Sequence, residues 1–385
     1  MSIIIVIYSL ILGCLSLYSY ALIDPNITFF NHPSWSWFLE RVLQLGYHQR
    51  QLSWQIYFVL VCLLFIFSHF FVNNFKKVNS LKLALLISTI LLLSYPFLSH
   101  DFLKYMFDGK IFTFYHKNPY ITAPINLSYD PWLRFLHWIE QPFRYGPIFL
   151  LIIIIPSFLS IGKFLLSFIF FKITFTLFYL LAVFYLNKLN RRWAIIFATH
   201  PLILVDGLIN SHNDLIGVSL LIIGIYLLIK IGKKNVIPAK VGIQAWGRFF
   251  IFLSIGIKYL TLPTLFLSSN KKSIINKLIF IALLLLPFSL LTKVAGEFFN
   301  AEIHTWYFIV ILGFLPFYEE IILKLNILFF GLLMCYYPFI RFGSWTKFAD
   351  FSVKHLIIIV FALINLFLFL IIKKWKKRLR RFHVK

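Results

Sequence analysis

Residues 353–385 read VKHLIIIVFALINLFLFLIIKKWKKRLRRFHVK. The apolar part has the length a helix needs to cross a bilayer, about 20 residues. It ends in Lys373, Lys374, Lys376, Lys377, Arg378, Arg380, Arg381 and Lys385. Backbone polar groups in hydrocarbon must be satisfied within the segment, so a continuous apolar run reads as a helix; a barrel strand would alternate. A basic block directly after such a run marks that end as cytoplasmic, because Lys and Arg are retained on the inner side.

The pattern repeats along the chain. Apolar runs fall near 2–22, 53–72, 81–98, 146–161, 163–186, 194–208, 215–231, 249–267, 278–292, 306–318 and 325–342. Hydrophobic residues make up 61% of the 385 and charged residues only 13%. No single soluble core buries that much apolar surface, which excludes a soluble enzyme, a disordered chain and a disulfide scaffold. The expected fold is all-α: one integral membrane domain over 1–385, multi-pass. The net charge of +24 sits in short clusters between apolar runs. It therefore points to membrane topology and anionic headgroups, with the lipid bilayer as partner and no nucleic acid.

Clusters at Lys76–Lys82, Asn187–Arg192, Lys230–Lys240, Lys271–Lys277 and the tail 373–385 are expected in the cytoplasm, together with both termini. The segment 99–145 mixes charge with aromatics and is expected outside, as a catalytic loop with interfacial helices. If 146–161 and 163–186 both crossed, Arg191 and Arg192 would land outside. The run 146–161 is therefore read as a partial helix, and 249–267, interrupted by Lys258 and Pro263, as a broken or re-entrant pair. About ten full transmembrane helices plus two partial elements satisfy every cluster. Short, Pro-interrupted segments of this kind line a site and do not face lipid.

With thirteen acids in the chain, each one at a run boundary counts. Asp101, Lys104, Tyr105 and Asp108 share one face of a helix just after the third run. They read either as i,i+4 charge pairs or as a catalytic carboxylate with companions, Lys104 being placed to keep Asp101 ionised. Arg144-Tyr145-Gly146-Pro147 opens the partial helix, where free N–H groups and an Arg suit a phosphate. Ser211 and Asp214 have the spacing of a capping box, which leaves His212 and Asn213 unaccounted for. Lys258 lies inside an apolar run, either snorkelling or serving a lipid phosphate. Glu302 and His304 precede Trp306 and Tyr307, which have the character of an interface belt. Cys14, Cys62 and Cys335 have no metal-type spacing, and no metal, nucleotide or dinucleotide motif occurs, so no cofactor is expected.

The ordered set is Asp101, then Tyr105-x-x-Asp108-Gly109, Asn118-Pro119-Tyr120, Tyr145-Gly146-Pro147, His212-Asn213-Asp214, Lys258 with Pro263, and Trp306-Tyr307-Phe308. Over about residues 80–318 it resembles polyprenyl-phosphate-sugar-dependent glycosyltransferases of the GT-C architecture, in particular the bacterial mannosyltransferase-like group of glycosyltransferase family 87. The resemblance implies an inverting transfer of a sugar, such as mannose, from a polyprenyl-phosphate donor to a lipid or glycan acceptor outside the cytoplasm. It implies Asp101 as general base, with Asp108, Tyr105, Arg144, Tyr145, His212, Asn213, Asp214, Lys258 and His304 at or beside substrate-binding positions. Two departures stand out. His100 occupies the place where an acidic pair often begins the loop, and His200-Pro201 replaces an Asn-Pro.

The chemistry agrees. Nucleotide sugars stay in the cytoplasm, so an outer-face transferase needs a membrane-soluble donor. A phosphate leaves as a stable anion and needs cations, while the acceptor hydroxyl needs a base. The competing class is a transporter or flippase of a lipid-linked or small polar substrate, which also uses broken helices and intramembrane cations. The absence of repeat symmetry weighs against it. Single cysteines at Ser128 and Asn300 are expected to react with an impermeant maleimide on intact cells, and one at Ser273 is not. Labelling at Ser273 with protection at Ser128 inverts the topology.

Overall fold

The computed structural model describes residues 1–27, 29–231, 237–289, 302–343 and 348–382. Of the segment 293–305, expected outside, residues 293–301 with Asn300 lie outside the described residues, as do the last residues of the basic tail, 383–385. Among the described residues the fold is all-helical, without strands. In chain order the helices are α1 (Ser2–Tyr18), α2 (Pro33–Leu43), α3 (Arg50–Asn73), α4 (Ser80–Leu91), α5 (Asp101–Thr113), α6 (Pro147–Leu159), α7 (Phe164–Leu189) and α8 (Arg191–Thr199). They continue as α9 (Asp214–Ile231), α10 (Ile237–Ile255), α11 (Ile274–Ser289), α12 (Leu315–Lys324), α13 (Asn326–Met334), α14 (Tyr337–Phe342) and α15 (Phe348–Phe382). Among the described residues five helical segments are long and apolar enough to cross a membrane, and α8 with the π-helical turn Ile203–Ile209 makes a sixth if that pair, bent by 70°, counts as one span.

Two ends of the bundle differ in chemistry. At one end the basic clusters meet: Arg191 Nε donates to the Val78 carbonyl at 2.7 Å and Ser80 Oγ to Asn187 at 2.8 Å. There, too, Arg192 pairs with Glu319 at 2.9 Å and Lys271 lies over the Trp193 ring at 4.7 Å. Asn79 and Asn190 cap α4 and α8, accepting from the first free amides of each helix. The opposite end gathers the starts of α3, α5, α6 and α9.

Helices α5 and α6 have 13 residues each. They lie beside each other in the same direction: Tyr105 packs on Phe149 with ring centroids 4.8 Å apart, and Thr113 Oγ1 reaches Ser157 Oγ at 2.8 Å. At 13 residues α6 is too short to span. The next helix, α7, starts against Phe29, Trp132 and Phe135, side chains of the same end. The chain therefore enters and leaves α6 at one end, and Arg191 and Arg192 fall at the other.

The second interrupted element is a hairpin. Helix α10 stops at Ile255, Gly256–Lys258 form the tip, and a 3₁₀ helix (Tyr259–Phe266) leads back, held by Arg248 donating to the Leu265 carbonyl. The tip is stitched to the start of α6: Gly146 N donates to Ile257 O at 3.1 Å and Ile148 N to Gly256 O at 3.0 Å. Both glycines are required by this approach. A Cβ on Gly146 would sit 2.1 Å from Gly256 O, and one on Gly256 would sit 2.3 Å from Ile148 Cγ1.

Gly146→Ala is expected to lower the thermal unfolding midpoint in detergent, since overpacking costs about 1–3 kcal/mol. Gly13→Ala is the control, because its Cβ would meet nothing within 4 Å. Equal midpoints for the two variants contradict the stitched contact.

Candidate active site

A cavity of about 1020 Å³ opens at the end opposite the basic clusters. Its walls come from eight parts of the chain: Asp24 after α1, Arg50 at the start of α3, Asp101 to Asp108 on α5, His137 to Tyr145, the hairpin tip at Lys258, Glu302 to Tyr307, Tyr336 to Gly343, and Lys354 of α15. A shallower basic pocket lined by His48, Arg50 and Arg341 shares Arg50 with it.

Asp101 is the first residue of α5. Tyr105, one turn on, donates to its Oδ2 at 3.4 Å, and His212 Nδ1 lies 3.4 Å from the same oxygen. Burial pushes this carboxyl up, but the contact with His212 and the positive charge of Lys258 outweigh it and hold Asp101 below the usual carboxylate range. Lys104 does not serve Asp101: it pairs with Asp108 instead. The i,i+4 spacing from Lys104 runs forward to Asp108, and burial of that pair drives the expected assignment out. Asp108 is raised to about 6, burial prevailing over the Lys104 charge.

His212 is fully buried in a three-ring stack. Its ring lies 3.7 Å from Trp306, and Trp306 lies 4.4 Å from His304. Trp306 therefore packs between two imidazoles. Burial lowers His304 to about 3, keeping it neutral, with Glu302 3.9 Å away. Burial raises Glu302 itself, but Lys354, His304 and His355 together outweigh it, and it sits below its ordinary value.

Lys258 donates to Asp214 Oδ2 at 2.9 Å and covers the Tyr307 ring at 4.2 Å. Ser211 and Asp214 do not form the expected capping box: Ser211 Oγ donates to Leu208 O at 2.9 Å, while Asp214 is taken by Lys258. Asn213 is fully buried, and neither of its amide atoms has a hydrogen-bond partner among the described residues. A buried amide left open in this way is costly unless something fills its hydrogen bonds. Tyr145 packs edge-on against Tyr105 at 5.2 Å. Arg144 is exposed at the cavity wall, two residues before the glycine stitched to the Lys258 tip. The structure thus brings all ten expected residues to one cavity or to its immediate backing. Among the described residues no three His, Cys, Asp or Glu side chains are arranged to hold a metal ion.

Beneath the cavity lies a group that sequence reading passed over. Asp206, fully buried in the π-helical turn, accepts from Thr305 Oγ1 at 2.6 Å, Tyr336 Oη at 2.8 Å and Asn210 Nδ2 at 3.0 Å. Asn210 Oδ1 in turn accepts from Leu98 N at 3.1 Å. The available signal was an acid inside an apolar run, which marks a functional or networked group by default.

The helical bundle, with segments of membrane-spanning length, carries at one end a polar cavity with a carboxylate and cations in its walls. The comparison with protein families specifies its class. The model described as alpha-(1->6)-mannopyranosyltransferase, N-terminal domain, matches residues 2–268, and the chain belongs to that family. It is a glycosyltransferase, and the family decides between the transferase and transporter readings in favour of the first. No curated protein and no solved structure matches the chain. Glu302, His304, Trp306 and Lys354 all lie beyond the matched span.

Asp206→Ala is expected to abolish recovery of folded protein, because three buried donors lose their acceptor at about 1–3 kcal/mol each. Asp206→Asn keeps an acceptor and is expected to yield folded protein with a lowered unfolding midpoint. A wild-type midpoint for Asp206→Ala contradicts the hub.

Proposed function

We propose that the protein transfers mannose from a polyprenyl-phosphate donor to an acceptor hydroxyl at the outer face of the membrane, with inversion at the anomeric carbon and Asp101 as general base. Both termini are cytoplasmic, ten helical segments cross fully, α6 and the α10 hairpin are partial elements, and 99–145 is the extracytoplasmic loop. The observation that carries this reading is the placement of Asp101, held ionised beside His212, in the same cavity as the cations Arg144 and Lys258.

The acceptor hydroxyl gives its proton to Asp101 as its oxygen bonds to the anomeric carbon. The bond from that carbon to the phosphate oxygen breaks, and the electron pair leaves with polyprenyl phosphate. No general acid is needed, because phosphate is a good leaving group; Lys258 and Arg144 offset the charge that develops on it. Asp214 orients Lys258 toward the cavity, and Asn213 offers the sugar hydroxyls its open amide. Tyr105 and Tyr145 shape the wall beside Asp101, His304 stays neutral as a hydrogen-bonding group, and Asp108 balances Lys104. A direct displacement by one activated hydroxyl inverts configuration. An α-linked product, as the family description names, then requires a β-linked donor.

Asp101→Asn keeps size and hydrogen bonding but removes proton acceptance. Transfer by the purified protein in nanodiscs is expected to fall by on the order of 10²–10⁴-fold with normal expression. Transfer at near wild-type rate by folded Asp101→Asn removes the mechanism. The pH dependence follows from the sign of the shift. A base held low keeps transfer alive until the pH falls through its depressed pKa. His212→Ala removes a contact that lowers it, so the acidic limb of kcat against pH is expected to move to higher pH. A limb that stays put or moves down contradicts the assigned contact.

A further inference from the structure

Lys172 lies in the first half of α7, nine residues in and inside an apolar run, and is 2% exposed. Its Nζ lies 2.6 Å from Leu208 O, 3.0 Å from Ile209 O, 3.1 Å from Ser94 Oγ and 3.4 Å from Ser211 Oγ. It also sits 5.9 Å from the centre of the Phe102 ring, next in sequence to Asp101. All four acceptors are neutral. Two are the last carbonyls of the π-helical turn, which carry the negative end of its dipole and have no further turn to pair with. A cation at helix centre is expensive in a membrane, about 2.5–3.5 kcal/mol on insertion scales, and an apolar side chain would fill the same space without that cost.

What the four contacts share is their address. Leu208, Ile209 and Ser211 immediately precede His212 and Asn213, while Ser94 and Phe102 flank the entry to Asp101. Ser211 is held at φ +54°, in the left-handed region that a non-glycine residue occupies only under constraint. That turn is what redirects the chain from the π-helical segment so that His212 reaches Asp101. We propose that Lys172 is a positioning residue for sugar transfer: by gripping both approaches it fixes the turn at Ser211 and sets the 3.4 Å contact between His212 and Asp101. It touches neither donor nor acceptor, and its effect passes through His212.

The proposal rests on Asp101 acting as base with His212 beside it, and a double-mutant cycle separates the two claims. The variants are Lys172→Met, Lys172→Gln, His212→Ala and Lys172→Met with His212→Ala, each assayed in nanodiscs with polyprenyl-phosphate mannose. Lys172→Met is expected to lower kcat about tenfold or more with the donor KM within about threefold, and to add less than about twofold once His212 is already Ala. Lys172→Gln keeps amide donors for the carbonyls and is expected to fall between wild type and Met. If Lys172→Met gives no folded protein, the same cycle is run with Lys172→Gln. Wild-type kcat in the Lys172 variants, losses that multiply in the double variant, or a Lys172→Gln protein that fails to fold each overturn the positioning role. A His212→Ala enzyme of wild-type rate whose acidic limb also stays in place overturns the base arrangement itself, and the positioning role with it.

Discussion

The carboxylate of Asp206 accepts three hydrogen bonds from three separate segments where no water reaches it. In an apolar bundle this is the interaction on which the site depends. Helices bury their own backbone groups, but a cavity needs breaks in them, and every break frees amides and carbonyls that hydrocarbon cannot satisfy. Asp206 sits where the breaks converge. Through Asn210 it holds Leu98 and the entry to Asp101. Through Thr305 it holds the segment that carries His304 and Trp306. The hairpin tip at Gly256–Lys258 is secured separately, by backbone pairing to the start of α6.

Three lysines at the cavity are balanced locally. Lys104 faces Asp108, Lys258 faces Asp214, and Lys354 faces Glu302. Each cation is held by a carboxylate that can be partly released when a phosphate arrives, which keeps desolvated charge from standing alone in the empty cavity. Asp101 is different. Its nearest partners are a tyrosine and a histidine, so it remains an acceptor with its charge directed at the cavity. That contrast supports the base role proposed for Asp101.

Much of this was legible in the sequence, and the reason is scarcity. In a chain with so few acids, a carboxylate or cation at the edge of an apolar run carries information, and Asp101, Asp214, Lys258 and Glu302 were all found that way. The short run after Gly146 and the interruption at Lys258 announced elements that do not run the length of the bundle. Partner identity was not legible. Lys104 has an acid three residues before it and another four after it, and only packing decides which is buried with it. Trp306 between His212 and His304 joins residues almost a hundred positions apart, and sequence at the interface offers the simpler belt explanation. Lys172 lies in a run where a lone polar residue looks like a tolerated exception, and its acceptors are backbone carbonyls that no sequence pattern marks.

The central claim is that the sugar comes from a lipid-linked phosphate and not from a nucleotide. The direct measurement is transfer by the purified protein in nanodiscs, with a membrane-lipid extract as acceptor, comparing radiolabelled polyprenyl-phosphate mannose with nucleotide-linked mannose. The account predicts label in the acceptor from the polyprenyl-phosphate donor alone, in α-linkage, with polyprenyl phosphate released. Transfer from the nucleotide donor, with none from the lipid-linked one, would contradict it.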